Sequence, residues 1–115
     1  MMRRGDLVLV DFDPVRGNEV SKLRPAIIVS NDGANRRAAQ LGRGVVTVVP
    51  ITSNTEKVFP FQVLLKDVPG LRVASKAQAE QVRSVSVERV GRILGRLPEA
   101  LAAELDRALC LHLGL

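Results

Sequence analysis

Short apolar runs, each closed by a polar or glycine-bearing stretch, recur along the chain and predict a mainly β domain with one terminal helix. From Gly5 to Asp13, Leu7 and Leu9 alternate with Val8, Val10 and Phe12, which reads as a strand with apolar residues on both sides. Pro14 to Leu23 turns polar, shows no period and reads as a surface loop. The run Ala26-Ile-Ile-Val29 is β-branched and too short for a helix, so it predicts a central strand covered on both faces. Asn31-Asp-Gly33 reads as a turn and Ala34 to Leu41 as a short surface helix. A strand is expected at Val45 to Ile51, a polar loop from Thr52 to Phe59, a strand at Pro60 to Leu65 and a shorter one at Leu71 to Ala74. Glu80 to Val87 fits either period, and the reading adopted is a short helix or turn around Ser84 to Glu88. Arg89 to Arg96 carries two glycines and predicts a last strand that is kinked or closely approached by another backbone. Pro98 suits the first position of a helix, with Glu99 favourable in its first turn. Leu97, Leu101, Leu105, Ala108, Leu109 and His112 then recur at helical spacing, giving one stripe to pack on the sheet.

With 115 residues, 1–115 is expected to form one domain with one modest core. No run approaches the roughly 18 apolar residues of a membrane span. The N-terminus runs straight into a strand pattern without the apolar core of a signal peptide, so a soluble, cytoplasmic protein is expected. Cys110 is the sole cysteine, which excludes an internal disulfide; it is expected as a small packed residue of the last helix. Lys and Arg number 17 against 12 Asp and Glu, and thirteen of the 17 are Arg. The guanidinium fork matches phosphate, so a small Arg-rich domain suggests an anionic partner such as nucleic acid.

The candidate chemistry sits at strand ends. Pro25 disfavours helical geometry at Arg24 and sets it extended at the mouth of the Ala26–Val29 strand. The strand from Val45 delivers Thr52, Ser53 and Asn54 in the same manner. If the two strands are neighbours, a permanent cation meets a cluster of hydroxyls, with Glu19 on the loop before Arg24, and a phosphate fits there. The one histidine, His112, excludes a two-histidine mechanism, and the scattered acids disfavour a metal-dependent one, so no metal or cofactor is expected.

Asp11-Phe-Asp-Pro14, Gly17-Asn-Glu19, Arg24-Pro25, Pro50-Ile-Thr-Ser53, Pro60-Phe61 and Glu80-Gln-Val-Arg-Ser84 occur in an order and spacing that resembles the MazF/PemK-like toxins over nearly the whole chain. The apolar pattern alone is compatible with a barrel or a sandwich. The resemblance implies an SH3-like β-barrel of the MazF/CcdB type with a C-terminal α-helix and short surface helices. It implies an endoribonuclease of a type II toxin–antitoxin system that cuts single-stranded RNA without metal. Attack by the 2′-hydroxyl would leave 2′,3′-cyclic phosphate and 5′-hydroxyl ends. In that family the residues matching Arg24 and Thr52 are catalytic, and the one matching Glu19 is a functional loop acid.

On this reading Arg24 clamps the scissile phosphate, Thr52 donates to a non-bridging oxygen, and Glu19 either orients or deprotonates the 2′-hydroxyl. Ser53, Asn54, Arg16, Lys22, Gln81, Arg83 and Ser84 are the candidate RNA contacts. Base stacking rests at most on Phe59 or on Arg planes, because Phe12 and Phe61 are expected in the core. The resemblance also implies a homodimer and a MazE-like antitoxin with an acidic segment. Two other functions suit the same sequence: a CcdB-like toxin that binds DNA gyrase without catalysis, and a non-catalytic basic RNA-binding module. The Arg24–Thr52 pair favours the nuclease.

Overall fold

The computed structural model describes residues 2–12 and 23–115, so the candidate loop residues Arg16, Glu19 and Lys22 lie outside the described residues. Seven strands are present: β1 (Asp6–Asp11), β2 (Leu23–Ile28), β3 (Val45–Thr52), β4 (Gln62–Leu65), β5 (Ser75–Gln78), β6 (Arg83–Ser86) and β7 (Val90–Arg96). Two helices, α1 (Asp32–Leu41) and α2 (Glu99–Leu113), complete the fold with 3-10 turns at Ala79–Gln81 and Val87–Arg89. The strand order is β4-β5-β3-β2-β1-β7, with β6 added beside β3, and every pairing is antiparallel. The result is barrel-like but not closed, since β4 and β7 end the strand order without pairing to each other.

The three central strands are apolar on both faces because each face has its own core. Leu7, Ile27, Val49 and Ile51 point to one side, where β4, β5 and α2 add Val63, Leu65, Ala77, Leu105, Ala108 and Leu109. Val8, Val10, Ala26, Ile28, Val46 and Val48 point to the other, where they meet Ala38 of α1 and Val85 of β6. This period-2 division covers β2 on both faces over Ala26, Ile27 and Ile28, all at 0% exposure, as the sequence predicted, while its first residues, Leu23 and Arg24, are exposed. Burying each such Ile contributes roughly 1.5–3 kcal/mol, so β2 is a stiff mount for whatever sits at its open end.

Local chemistry sets the helices. Asn31 caps α1 by accepting from the Ala34 amide at 2.8 Å, so the helix begins earlier than the expected Ala34 and ends at Gly42, whose φ is 64°. The buried Asn35 is satisfied by donating to the Ser30 carbonyl at 2.8 Å and accepting from the Ser30 hydroxyl. In α2, Pro98 is the N-cap rather than the first helical residue. Leu105, Ala108 and Leu109 form the inward stripe, with Leu101 partly buried against it, while His112 is exposed. That stripe turns Cys110 outward, and the cysteine expected to be packed is exposed.

Two strands depart from the sequence reading. The expected strand at Leu71 to Ala74 is absent, and the chain pairs instead at Ser75–Gln78, where β3 and β4 flank it on both sides. Arg83–Ser86 pairs with Val45–Val48 of β3, so the expected helix or turn reduces to the 3-10 turn that follows it. β7 meets the expectation of an irregular strand: its register with β1 shifts twice. A Cβ at Gly95 would lie 2.8 Å from the Pro69 carbonyl oxygen, and one at Gly70 (φ 100°) would lie 2.7 Å from the Leu94 carbonyl oxygen. The paired glycines therefore let the Pro69–Gly70 turn lie directly on β7.

Candidate functional site

Pairing between β2 and β3 stops at Ala26↔Pro50. Pro25 and Pro50 both lack an N–H, so the ladder has no regular continuation there. Two residues further along each strand, Arg24 and Thr52 fall opposite each other if the register is extended. They share a side, because both are two residues from the last pair. On its other edge β3 passes from β6 to β5, with Thr52 paired to Lys76. The two site strands thus form a fork, held by β1 behind Arg24 (Val10↔Arg24) and by β5 behind Thr52.

The fork opens into a cleft of about 600 Å³ lined by Arg24, Thr52 and Ser53. Ser75, Arg72 and Arg92 join them, together with an apolar wall that includes Leu9, Leu23 and Leu71. Three arginines and three hydroxyl-bearing residues line the cleft, the Ser75 hydroxyl donating to the Val73 carbonyl at 3.0 Å, and none of the described lining residues is acidic. The ion pairs among the described residues, Arg4–Asp106 and Arg96–Asp6, lie elsewhere, which leaves these three arginines without a carboxylate within salt-bridge distance among the described residues. Such a surface attracts an anion and orients it toward the hydroxyls.

The Thr52 hydroxyl is already half committed. Its oxygen accepts from the Asn54 amide at 3.2 Å, and Asn54 Oδ1 in turn accepts from the Glu56 amide at 3.2 Å. A hydroxyl whose acceptor side is engaged has its O–H left to donate outward. Asn54, a candidate RNA contact, is exposed beside Thr52, and its side-chain oxygen belongs to the turn that holds Thr52.

A second, smaller cleft of about 330 Å³ lies on the other side of Arg24, between Phe12, Pro50, Gln78, Gln81 and Arg83. The Arg83 guanidinium sits 5.3 Å from the centre of the Phe12 ring, within cation–π range. Gln81 and Arg83 are therefore brought beside Arg24, but Ser84 is not. It pairs with Thr47, and strand alternation turns it to the face opposite Arg83, away from both clefts. Phe59 is 45% exposed and stacked on Phe61 with centroids 5.3 Å apart. Both rings lie outside the two clefts, and Phe61 is half-buried rather than a core residue.

Sequence reasoning missed Arg72, Arg92 and Ser75. Arg72 belongs to the Pro69–Val73 segment that Gly70 and Gly95 let lie on β7, the strand that carries Arg92, and the Pro-Gly step with two further glycines was the available signal. Among the described residues no three His, Cys, Asp or Glu gather as metal ligands would, and no helix is long and apolar enough to cross a membrane.

The model of the "PemK-like, MazF-like toxin of type II toxin-antitoxin system" family matches residues 3–113. "Endoribonuclease MazF9" of Mycobacterium tuberculosis is 59% identical over 116 residues, covering 100% of this chain and 98% of that protein. "Endoribonuclease MazF" of Staphylococcus epidermidis is 32% identical, covering 100% of this chain and 93% of its own length. Among solved structures, an "Endoribonuclease in complex with its cognate antitoxin from Mycobacterial species" superposes with a TM-score of 0.79 at 25% identity, over 100% of this chain and 97% of the other. The family model spans residues 3–113, a relative 59% identical is covered almost end to end, and the fold agrees with both: the chain belongs to the PemK-like, MazF-like toxins of type II toxin–antitoxin systems.

Proposed function

We propose that the chain is the toxin of a type II toxin–antitoxin pair, a sequence-specific endoribonuclease that cuts single-stranded RNA in the cytoplasm without metal. The observation that carries this reading is the fork itself, with Arg24 and Thr52 facing one cationic cleft with no acid among its described lining residues. The family and its endoribonuclease relatives support it.

In the proposed reaction the RNA's 2′-oxygen attacks the adjacent phosphorus, the bond to the 5′-oxygen breaks, and a 2′,3′-cyclic phosphate and a 5′-hydroxyl result. The 2′-hydroxyl proton passes to a base and the departing 5′-oxygen receives one. Arg24 holds the phosphate and takes up the charge that grows on it, since a guanidinium is a fork of donors and a poor proton acceptor. Thr52 donates its O–H to a non-bridging oxygen. Glu19, outside the described residues, is proposed to orient or deprotonate the 2′-hydroxyl. Ser53, Gln81 and Arg83 are proposed RNA contacts around this centre, with Arg16 and Lys22 contributing from the loop.

A 115-residue monomer offers little groove of its own for a polymer, and a homodimer that lays RNA across two copies is proposed; light scattering at micromolar concentration should give twice the monomer mass, and a monomer only would overturn it. A cognate antitoxin with an acidic segment is proposed to cover the arginine-lined cleft, in keeping with the relative solved with its antitoxin. Bound antitoxin should exclude an uncleavable RNA, and a ternary complex would refute the blocking. For the activity, purified protein is incubated with defined single-stranded RNA in excess EDTA and the ends are mapped. Cyclic-phosphate and 5′-hydroxyl ends at a fixed sequence are expected. Binding without cleavage would instead indicate an RNA-binding module, and binding to gyrase without cleavage a CcdB-like toxin.

A further inference from the structure

Lys76 is one of the two charged residues buried among the described ones, at 8% exposure. The other, Asp6, has Arg96 as its ion-pair partner at 3.0 Å, whereas Lys76 has no carboxylate within salt-bridge distance among the described residues. Its ammonium donates to the Lys57 carbonyl at 2.6 Å and lies 6.0 Å from the centre of the Phe59 ring. A buried ammonium is costly, and a methionine would fill the same stem volume without that cost. The charge must therefore serve the contact it makes.

That contact closes a circuit around Thr52. The Asn54 amide donates to Thr52 Oγ1, the Glu56 amide donates to Asn54 Oδ1, the next residue is Lys57, and its carbonyl accepts from Lys76. Lys76 is in turn the direct cross-strand partner of Thr52. Every other hydrogen bond made by the Ser53–Phe61 segment stays within three residues and reaches only the flanking ends of β3 and β4, so among the described residues Lys76 alone ties this loop to a strand that it does not itself connect. Lys76 lines neither cleft beside Arg24, which removes it from direct contact with an anion held there.

We propose that Lys76 is a positioning residue: by anchoring the Lys57 carbonyl it holds the Thr52–Glu56 turn and so fixes the direction in which the Thr52 hydroxyl donates. This rests on the role proposed for Thr52. A hydroxyl needed chiefly in the transition state loses rate and not affinity when it is loosened, and a displacement of about 1 Å at a catalytic group can cost on the order of a hundredfold.

The test compares wild type, Lys76→Met and Lys76→Arg. With a defined RNA, Lys76→Met is expected to lower kcat by about ten- to a hundredfold with KM within about twofold, and Lys76→Arg to restore much of the loss. Amide exchange provides the readout that needs no activity: the Asn54 and Glu56 amides should lose protection by about tenfold or more in Lys76→Met, while the β1 and β2 amides keep theirs. If Lys76→Met does not fold, Phe59→Ala, which removes an exposed ring from beneath the ammonium, should give the same local loss of protection. Unchanged kcat with unchanged Asn54 and Glu56 protection overturns the proposal, and so does a rise in KM alone, which would mark direct contact with RNA. A wild type that cleaves no RNA defeats the proposed function instead, and the exchange arm still decides on Lys76.

Discussion

Replacing Arg24 by alanine should lower single-turnover cleavage by about two to three orders of magnitude with little change in RNA affinity. The size follows from the surroundings. Arg24 is exposed at the mouth of the cleft, and a unit charge at ~4 Å is worth from about 1 kcal/mol in water to about 4 kcal/mol at the effective dielectric of a protein surface. Losing a preorganised donor to a developing oxyanion costs about 2.7–4 kcal/mol, in the upper part of that range. Arg72 and Arg92 remain in the same cleft to hold the backbone, so the loss falls on the rate. Arg24→Lys restores a charge but not the fork of donors and should recover only part of the rate. The fold should not suffer, because the residue packs into neither core. An exposed substitution of this kind changes stability by about 0.5 kcal/mol or less, a melting shift of no more than about 4 °C. The assay is rapid-quench cleavage of a labelled oligoribonucleotide beside a thermal melt. A rate within fivefold of wild type in a folded variant would refute the clamp, and a loss confined to affinity would reduce Arg24 to a backbone contact.

Thr52→Ala should cost about one to three orders of magnitude in the same assay, and Thr52→Ser, which keeps the O–H, considerably less; equal losses in the two would contradict the donor role. Arg72→Ala and Arg92→Ala should each raise KM and flatten the salt dependence of RNA binding by about one phosphate contact, while kcat holds within a few-fold; an unchanged salt slope in both would place the RNA elsewhere. Gly95→Ala should destabilise by about 1–3 kcal/mol, since its new methyl meets a backbone carbonyl at 2.8 Å, and denaturant melts would expose the error if it proved neutral.

Much of this arrangement can be read from residues alone, and the reason is local. Ala26-Ile-Ile-Val29 is apolar on both faces, so only a covered strand suits it, and the prolines at 25 and 50 mark where such a strand must release its neighbour. Arg24 and Thr52 are legible because each stands at the end of a run of that kind. β5 was not, because Ser75-Lys-Ala-Gln78 has no β-branched residue; it is a strand only through β3 and β4 on its two sides. The same pairing buries Lys76 and brings it beside Thr52, a relation that no spacing in the sequence encodes. Ser84 shows the converse failure. It sits in the matching motif next to Arg83, yet one step along a strand reverses the face, and the register that decides this belongs to β3. Cys110 lies in an apolar stretch but turns outward, because the Leu105, Ala108 and Leu109 stripe takes the inward direction.

The central claim is that the attacking oxygen is the RNA's own 2′-hydroxyl, brought to the phosphate between Arg24 and Thr52. It is tested most directly with two oligoribonucleotides that differ only by a 2′-deoxy sugar on the nucleotide 5′ to the scissile bond, each incubated with purified protein in excess EDTA. The all-ribo strand should be cleaved completely, leaving a 2′,3′-cyclic phosphate end, and the 2′-deoxy strand not at all, although both bind. Cleavage of the 2′-deoxy strand, or activity lost in EDTA and restored by Mg²⁺, would contradict it.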